Sequence, residues 1–252
     1  MKIQYCSDLH LEFPENHRWL VQNPIIPSGD ILIIAGDTFY LGEEFHKQPL
    51  FDQLADNFQQ VFLIPGNHEY YNGYDAALSL NGFDEKLRSN VRLLHNRKIE
   101  WAGIEFIFTT LWSKITTNIL PILRGMVDFR RIRYEQEKLG INHYNDLHEN
   151  ARRFLLEALK EKRPGKTVVV SHHLPSEVCN VEEFKESPLN EAFCVNLHQL
   201  IEENQINYWL YGHSHRNKAD FSIYDTRMIT NQLGYVRYGE HNMFRRDAWF
   251  EL

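Results

Sequence analysis

Cysteine is scarce: three in 252 residues, at Cys6, Cys179 and Cys194, odd in number and with no CxxC spacing. That excludes a disulfide framework and a cysteine-rich zinc module. No apolar run approaches the roughly 18 residues needed to cross a bilayer, and Asp8 and His10 interrupt the N-terminus before a signal-peptide core could form. Excess positive charge is absent too, because 27 Lys and Arg face 34 Asp and Glu, a formal net charge of −7. Affinity for nucleic acid comes mainly from neutralising phosphates, so this balance argues against a general nucleic-acid binder. No repeat, low-complexity tract or Gly/Ser/Pro-rich linker divides the chain. These absences leave a soluble cytoplasmic protein, with no membrane partner, as the expectation. With 43% hydrophobic residues, a chain of this length builds its core without disulfides.

What is present is a series of short apolar runs, each stopped by polar or small residues. They are Lys2–Tyr5, Ile31–Ala35, Val61–Ile64, Val168–Val170 and Tyr208–Tyr211. Runs this short, rich in β-branched and aromatic residues, predict buried strands. Helices are predicted over Glu43–Phe58, Asp75–Arg88 and Tyr144–Lys162, the last stopped by Pro164–Gly165. Hairpins are predicted over Ile99–Thr110, turning near Ala102–Gly103, and over Ala219–Ile229, turning at Asp225–Thr226. The pattern is mixed α/β with antiparallel additions. Ser113–His143 is the irregular stretch and holds the basic cluster Arg130, Arg131 and Arg133. By itself that cluster reads as solvated surface.

Each apolar run ends in metal-type ligands: Asp8 and His10, then Asp37, then Asn67-His68-Glu69, then His172-His173, then His213 and His215. Open α/β sheets place their ligand sites beyond the carboxyl ends of the strands, so five such strands with their ends together converge on one place. In extended segments, residues two apart project to one side, which would make pairs of Asp8/His10 and of His213/His215. Oxygens and imidazoles without thiolate suit Mn²⁺, Fe²⁺ or Zn²⁺. The inventory exceeds the four ligands of one tetrahedral zinc and fits two metals roughly 3.5–4 Å apart. Thirteen Gly and thirteen His give Gly-His-x-His an expected count of about 0.03 in such a chain. All five clusters in order are therefore a specific signal.

On these residues the sequence resembles the calcineurin-like metallophosphoesterase superfamily. The matching elements are DLH at 8–10, GD at 36–37, GNHE at 66–69, SHH at 171–173 and GHSH at 212–215. Softer matches to a bacterial branch of predicted phosphohydrolases are TTLWS at 109–113, VDFRRIR at 127–133 and TNQLGY at 230–235. The resemblance implies a single-domain four-layer αββα sandwich over 1–252, with two mixed central sheets and a rim insertion at 113–143. It implies that Asp8, His10 and His215 hold one metal, that Asn67, His172 and His213 hold the second, and that Asp37 bridges both. His173 matches no family ligand. The metals would be two divalent ions, Mn²⁺ first, with Fe or Zn as alternatives. They would acidify a water whose hydroxide attacks phosphorus, while His68 protonates the leaving group. Glu69 would orient the turn around His68.

One departure bears on substrate. Protein phosphatases continue the second motif as GDxVDRG, and Tyr40 and Leu41 stand where that pattern has Asp and Arg. The implied activity is therefore that of a metal-dependent phosphodiesterase or small phosphomonoester hydrolase with a small phosphoester as its partner. Two other readings are a nuclease of the DNA-repair exonuclease type and a non-catalytic binding module; the presence of His68 argues against the module. Trp112 reads as core, and Tyr70 and Tyr71 either line the pocket or cap the core. The remaining histidines read as surface or structural.

Overall fold

The structure, a computed structural model, describes residues 1–160 and 165–252. The strands in chain order are β1 (Lys2–Cys6), β2 (Ile31–Ala35), β3 (Gln60–Ile64), β4 (Phe83–Arg88), β5 (Val91–His95), β6 (Arg97–Trp101) and β7 (Ile104–Phe108). There follow β8 (Arg133–Tyr134), β9 (Glu137–Lys138), β10 (Lys166–Val170), β11 (Tyr208–Leu210), β12 (Phe221–Ile223), β13 (Thr226–Ile229) and β14 (Trp249–Glu251). One six-stranded sheet has the order β14-β1-β2-β3-β5-β4 and the other β12-β13-β11-β10-β7-β6. In each, four central strands run parallel and an antiparallel strand closes either edge.

Three apolar layers explain why the central strands read as unbroken hydrophobic runs. Ile31, Ile33 and Ala35 of one sheet face Val168, Val170 and Leu210 of the other. The alternate residues Leu32 and Ile34 point outward and share a core with Leu20, Phe51 and Leu54 of two flanking helices. On the far side, Val169 and Trp209 pack with Leu155 and Ala158 of the long helix Ile141–Lys160 and with Leu200 and Ile201. Helices outside two face-to-face sheets make an αββα sandwich. Among the described residues no helix is long and apolar enough to cross a membrane.

Several expectations are corrected. The helix predicted over Glu43–Phe58 is two, Glu43–His46 and Pro49–Asn57, because Pro49 cannot donate to a continuing helix and instead starts the second. The segment 75–88 is a 3₁₀ turn over Ala76–Asn81 followed by β4, with Gly82 at φ 60 between them. Glycine in the left-handed region ends a helical path there, and pairing with β5 overrides the helical propensity of Asp84–Arg88. The β12–β13 hairpin turns at Tyr224–Asp225, one residue earlier than expected. The β6–β7 hairpin turns where the sequence placed it. The long helix starts at Ile141, and its predicted end at Lys162, with the Pro164 stop, falls outside the described residues.

Candidate metal centre

The five ligand-bearing strands divide between the sheets: β1, β2 and β3 in one, β10 and β11 in the other. Asp8, Asp37 and Asn67 follow the carboxyl ends of the first three, and His172 and His213 follow the other two. The chain then turns sharply. Asp8, His10, Asp37, His213 and His215 have φ of 56, 47, 55, 72 and 52°, a region rarely used by residues other than glycine. These segments are therefore turns and not extended, yet Asp8 and His10 do share one donor group as expected of a pair. The expected His213/His215 pair is corrected, because the two fall into different donor groups. Such strain persists where the surroundings over-determine it. Here backbone amides do so: Glu69 accepts from the N–H groups of Asp37, Thr38 and Gly66 at 3.0, 2.7 and 2.7 Å, locking the second and third loops together. At Gly66 any Cβ would lie 2.1 Å from Asp37 Oδ1, so only glycine admits this approach.

Two groups of donor atoms face each other across Asp37. One comprises Asp8, His10, Asp37 and His215, the other Asp37, His172 and His213, each with its ligand atoms within 4.8 Å of one another. Asp37 Oδ2 lies 3.6 Å from His10 Nε2 and 3.4 Å from His172 Nε2. Asn67 Oδ1 lies 3.1 Å from His172 Nε2, which brings it beside the second group. His173 turns away, its Nε2 3.3 Å from the Tyr144 hydroxyl.

The hydrogen bonds test whether these donors fit a cation. His10 Nδ1 meets Glu12 at 3.0 Å and His215 Nδ1 meets Glu240 at 2.8 Å, so both protons sit outward and both Nε2 lone pairs point inward. Those two Nε2 atoms are 2.9 Å apart. His172 donates from Nδ1 to the Ala35 carbonyl at 2.9 Å and turns Nε2 to oxygens that only accept. His213 Nε2 is buried without a partner. A buried convergence of lone pairs with nothing to donate to them is costly unless a cation lies among them. The donor set fits divalent cations. The imidazoles divide in their titration, since burial holds His10 and His213 below the usual value. Burial opposes charge on His172 and His215, yet Asp37 carries the first up to about 9, and Asp8 with Glu240 carries the second up to about 10. The carboxylates demand positive charge at both positions.

His68 sits at the edge of this centre. Its Nδ1 is 2.8 Å from Glu12 Oε1, its Nε2 3.2 Å from the Tyr235 hydroxyl, and its ring 4.1 Å from the Tyr71 ring. Glu12 is nearly inaccessible; burial resists its ionisation, but His10 and His68 hold it down at about 2. Sequence reasoning missed this residue. Tyr40 stands where the protein-phosphatase pattern has its Asp, and Glu12 supplies a carboxylate to His68 from the first loop; the signal was the third acidic or imidazole side chain in DLHLE. His10, Glu12 and His68 also form a third group able to hold a cation.

Asp128 was missed as well, although it lies within the softer VDFRRIR match of the irregular stretch. Asn67 donates from Nδ2 to Asp128 at 3.1 Å and to the Tyr71 hydroxyl at 3.0 Å, and Tyr71 donates to the other Asp128 oxygen at 2.9 Å. With both amide protons taken, Asn67 Oδ1 is the atom left facing His172. Tyr70 is core and Tyr71 lines the site, so the two tyrosines divide. Trp112 is fully buried.

A cavity of about 470 Å³ opens in front of Asp37, Asn67, His68 and His213. Met126, Val127, Phe184, Leu189 and Phe193 are among its apolar lining residues. Of the three arginines read as solvated, Arg131 lines this cavity. Its Nε donates to the Tyr71 carbonyl at 3.2 Å and its guanidinium lies over the Tyr40 and Tyr71 rings, with no carboxylate partner among the described residues. All three arginines are exposed, but Arg131, the last residue of the four-residue helix Asp128–Arg131, reaches the cavity, whereas Arg130 bonds the Arg124 carbonyl.

A family model for the calcineurin-like phosphoesterases matches residues 1–217. Uncharacterized protein L509 of Acanthamoeba polyphaga mimivirus is 29% identical over 287 aligned positions, covering 99% of this chain and 96% of that protein. Among solved structures, the phosphopantetheinyl hydrolase PptH of Mycobacterium tuberculosis superposes with a TM-score of 0.68 at 18% identity, over 94% of this chain and 90% of that one. At that identity the likeness bears on the fold alone, and it agrees with the two-sheet α/β architecture.

Proposed function

The chain belongs to the calcineurin-like phosphoesterase family, and from that premise we propose that it is a dinuclear-metal hydrolase of phosphodiesters or small phosphomonoesters. The observation that carries the reading is the position of Asp37, whose Oδ2 lies 3.6 Å from His10 Nε2 on one side and 3.4 Å from His172 Nε2 on the other. Asp8, His10 and His215 would hold one ion, Asn67, His172 and His213 the other, and Asp37 both. When bound, two divalent ions supply an acidified water and neutralise phosphoryl charge; manganese is the first choice for an oxygen-and-imidazole set.

The protein's own groups do the rest. His68, backed by Glu12, carries a proton to the leaving oxygen, and its pairing favours the protonated form: burial lowers its pKa, but Asp37 and Glu12 raise it above the ordinary value. The Tyr235 hydroxyl holds the other imidazole nitrogen in line. The cavity falls within the roughly 300–1,000 Å³ of small-molecule sites, and the rim residues Met126, Val127 and Arg131 would select the substrate.

The test is elemental analysis of the purified protein beside a metal-supplemented screen of phosphodiesters, phosphomonoesters and a phosphopeptide. Two ions per chain are expected, with Asp37→Ala damaging both positions and Asp8→Ala sparing the second. A single tightly held ion, or preference for the phosphopeptide, would overturn the reading.

A further inference from the structure

We infer that the alcohol released by this enzyme is hydrophobic, an alkyl or aryl group, and not a sugar, polyol or nucleoside; the inference rests on the phosphohydrolase reading above. The leaving group must lie beside His68, because the proton passes there. The cavity that His68 lines is lined also by Met126 and Val127 from one loop and by Phe184, Leu189 and Phe193 from another. In the helix that leads into Met126, Ile119 and Leu120 are exposed apolar residues on an acidic chain.

The apolar lining favours a hydrophobic alcohol over a hydroxylated one, and the cavity's polar groups add to that where they are already engaged. Binding sites for polyols offer unspent donors and acceptors, since a hydroxyl buried without a partner costs about 1–3 kcal/mol. Here several of those groups are already engaged, although the Ser187 hydroxyl proton and the Asn190 amide nitrogen keep no partner among the described residues. Asn180 Nδ2 donates to Asn190 Oδ1 at 2.8 Å, and Asn180 Oδ1 accepts from the Val181 amide at 3.0 Å. Ser187 Oγ accepts from the Leu189 amide at 3.2 Å. Arg216 is held by Glu183 at 2.8 Å and Glu240 at 3.2 Å. Arg131, which has no carboxylate partner among the described residues, is left for the phosphoryl charge. In the step itself a water that has given one proton to solvent joins phosphorus through its oxygen, the bond from phosphorus to the alcohol oxygen breaks with its electron pair on that oxygen, and His68 supplies the proton to it and regains one from solvent.

The experiment uses the metal-loaded protein and two homologous series, n-alkyl phosphates and methyl n-alkyl phosphates from methyl to octyl, with glycerol phosphate as the polyol control. Release of the longer alcohol is followed by mass spectrometry. Burying methylenes predicts that kcat/KM rises by up to about fourfold per added carbon until the cavity fills, a value corresponding to ~0.8 kcal/mol per CH₂. Glycerol phosphate should trail butyl phosphate. Leu189→Gln and Met126→Gln, on different loops, should each flatten the slope, with folding checked by thermal melts. Hydrolysis of methyl esters with no dependence on chain length, or faster glycerol release, overturns this inference and leaves the phosphohydrolase reading standing. No hydrolysis of any ester at full metal loading overturns both.

Discussion

A buried carboxylate oxygen of Glu12 reaches His68 Nδ1 at 2.8 Å and His10 Nδ1 at 3.0 Å, so one side chain orients both a candidate ligand and the candidate acid. That sharing makes His68 the informative residue to remove. His68→Ala should retain both ions and lose about 10²–10⁴-fold in kcat on alkyl esters. The loss should shrink on nitrophenyl esters, whose leaving group needs no proton. Metal content by elemental analysis discriminates the roles: ions lost with activity would make His68 a ligand of the third donor group. Asp128 works on Asn67 in a similar way, from a different loop. Asp128→Ala frees the Asn67 amide to turn its nitrogen toward His172, and should weaken one of the two metal positions by about 10–100-fold. A manganese titration should show one site shifted and the other intact, with Asp128→Asn, which keeps an acceptor, losing less.

Among the elements, the irregular stretch 113–143 shows why motif-poor segments resist reading from sequence. Its two short helices, Ile119–Gly125 and Asp128–Arg131, and the β8–β9 ribbon are too brief for periodicity to register. Yet of the three arginines it is Arg131, at the end of the four-residue helix, that reaches the cavity. Arg131→Ala should raise KM several-fold on every phosphoester with little change in kcat, as expected for uniform binding of the phosphoryl charge. Arg130→Ala and Arg133→Ala should leave both constants alone. A fall in kcat at unchanged KM for Arg131→Ala would mean its contact forms only in the transition state. Equal behaviour of all three would return Arg131 to the solvated surface. Elsewhere, Gly82 and Pro49 mark the places where the helical pattern in the sequence yields to backbone constraint.

For the whole molecule, the division of ligands between the sheets has a thermodynamic consequence. Asp8, His10, Asp37 and Asn67 come from one sheet and His172, His213 and His215 from the other. Ions bound between them therefore bind only the folded chain. At a thousandfold excess over Kd an ion stabilises by about 4 kcal/mol, and for a chain of this size each kcal/mol moves Tm by about 2–4 °C. Chelator treatment should lower Tm by about 8–16 °C per ion removed, read by calorimetry with and without added manganese. A Tm indifferent to chelator would mean that the two sheets hold together without the centre.

The sequence by itself determined the buried strands, their order in the chain and the ligand-bearing loops at their ends. The physical reason is that covered strands need continuous apolar runs, and that Gly-Asp, Gly-Asn-His and Gly-His-x-His are local patterns, complete within a few residues. Only the tertiary structure decided the partners of those residues. Glu12 meets His68 across 56 positions and Asn67 meets Asp128 across 61, and Arg131 reaches the cavity from the end of a short helix. Such contacts leave no period and no spacing in the chain. They exist because two sheets, each twisted and packed on its own helices, bring distant loops to one edge, and nothing within any single loop specifies what it will find there.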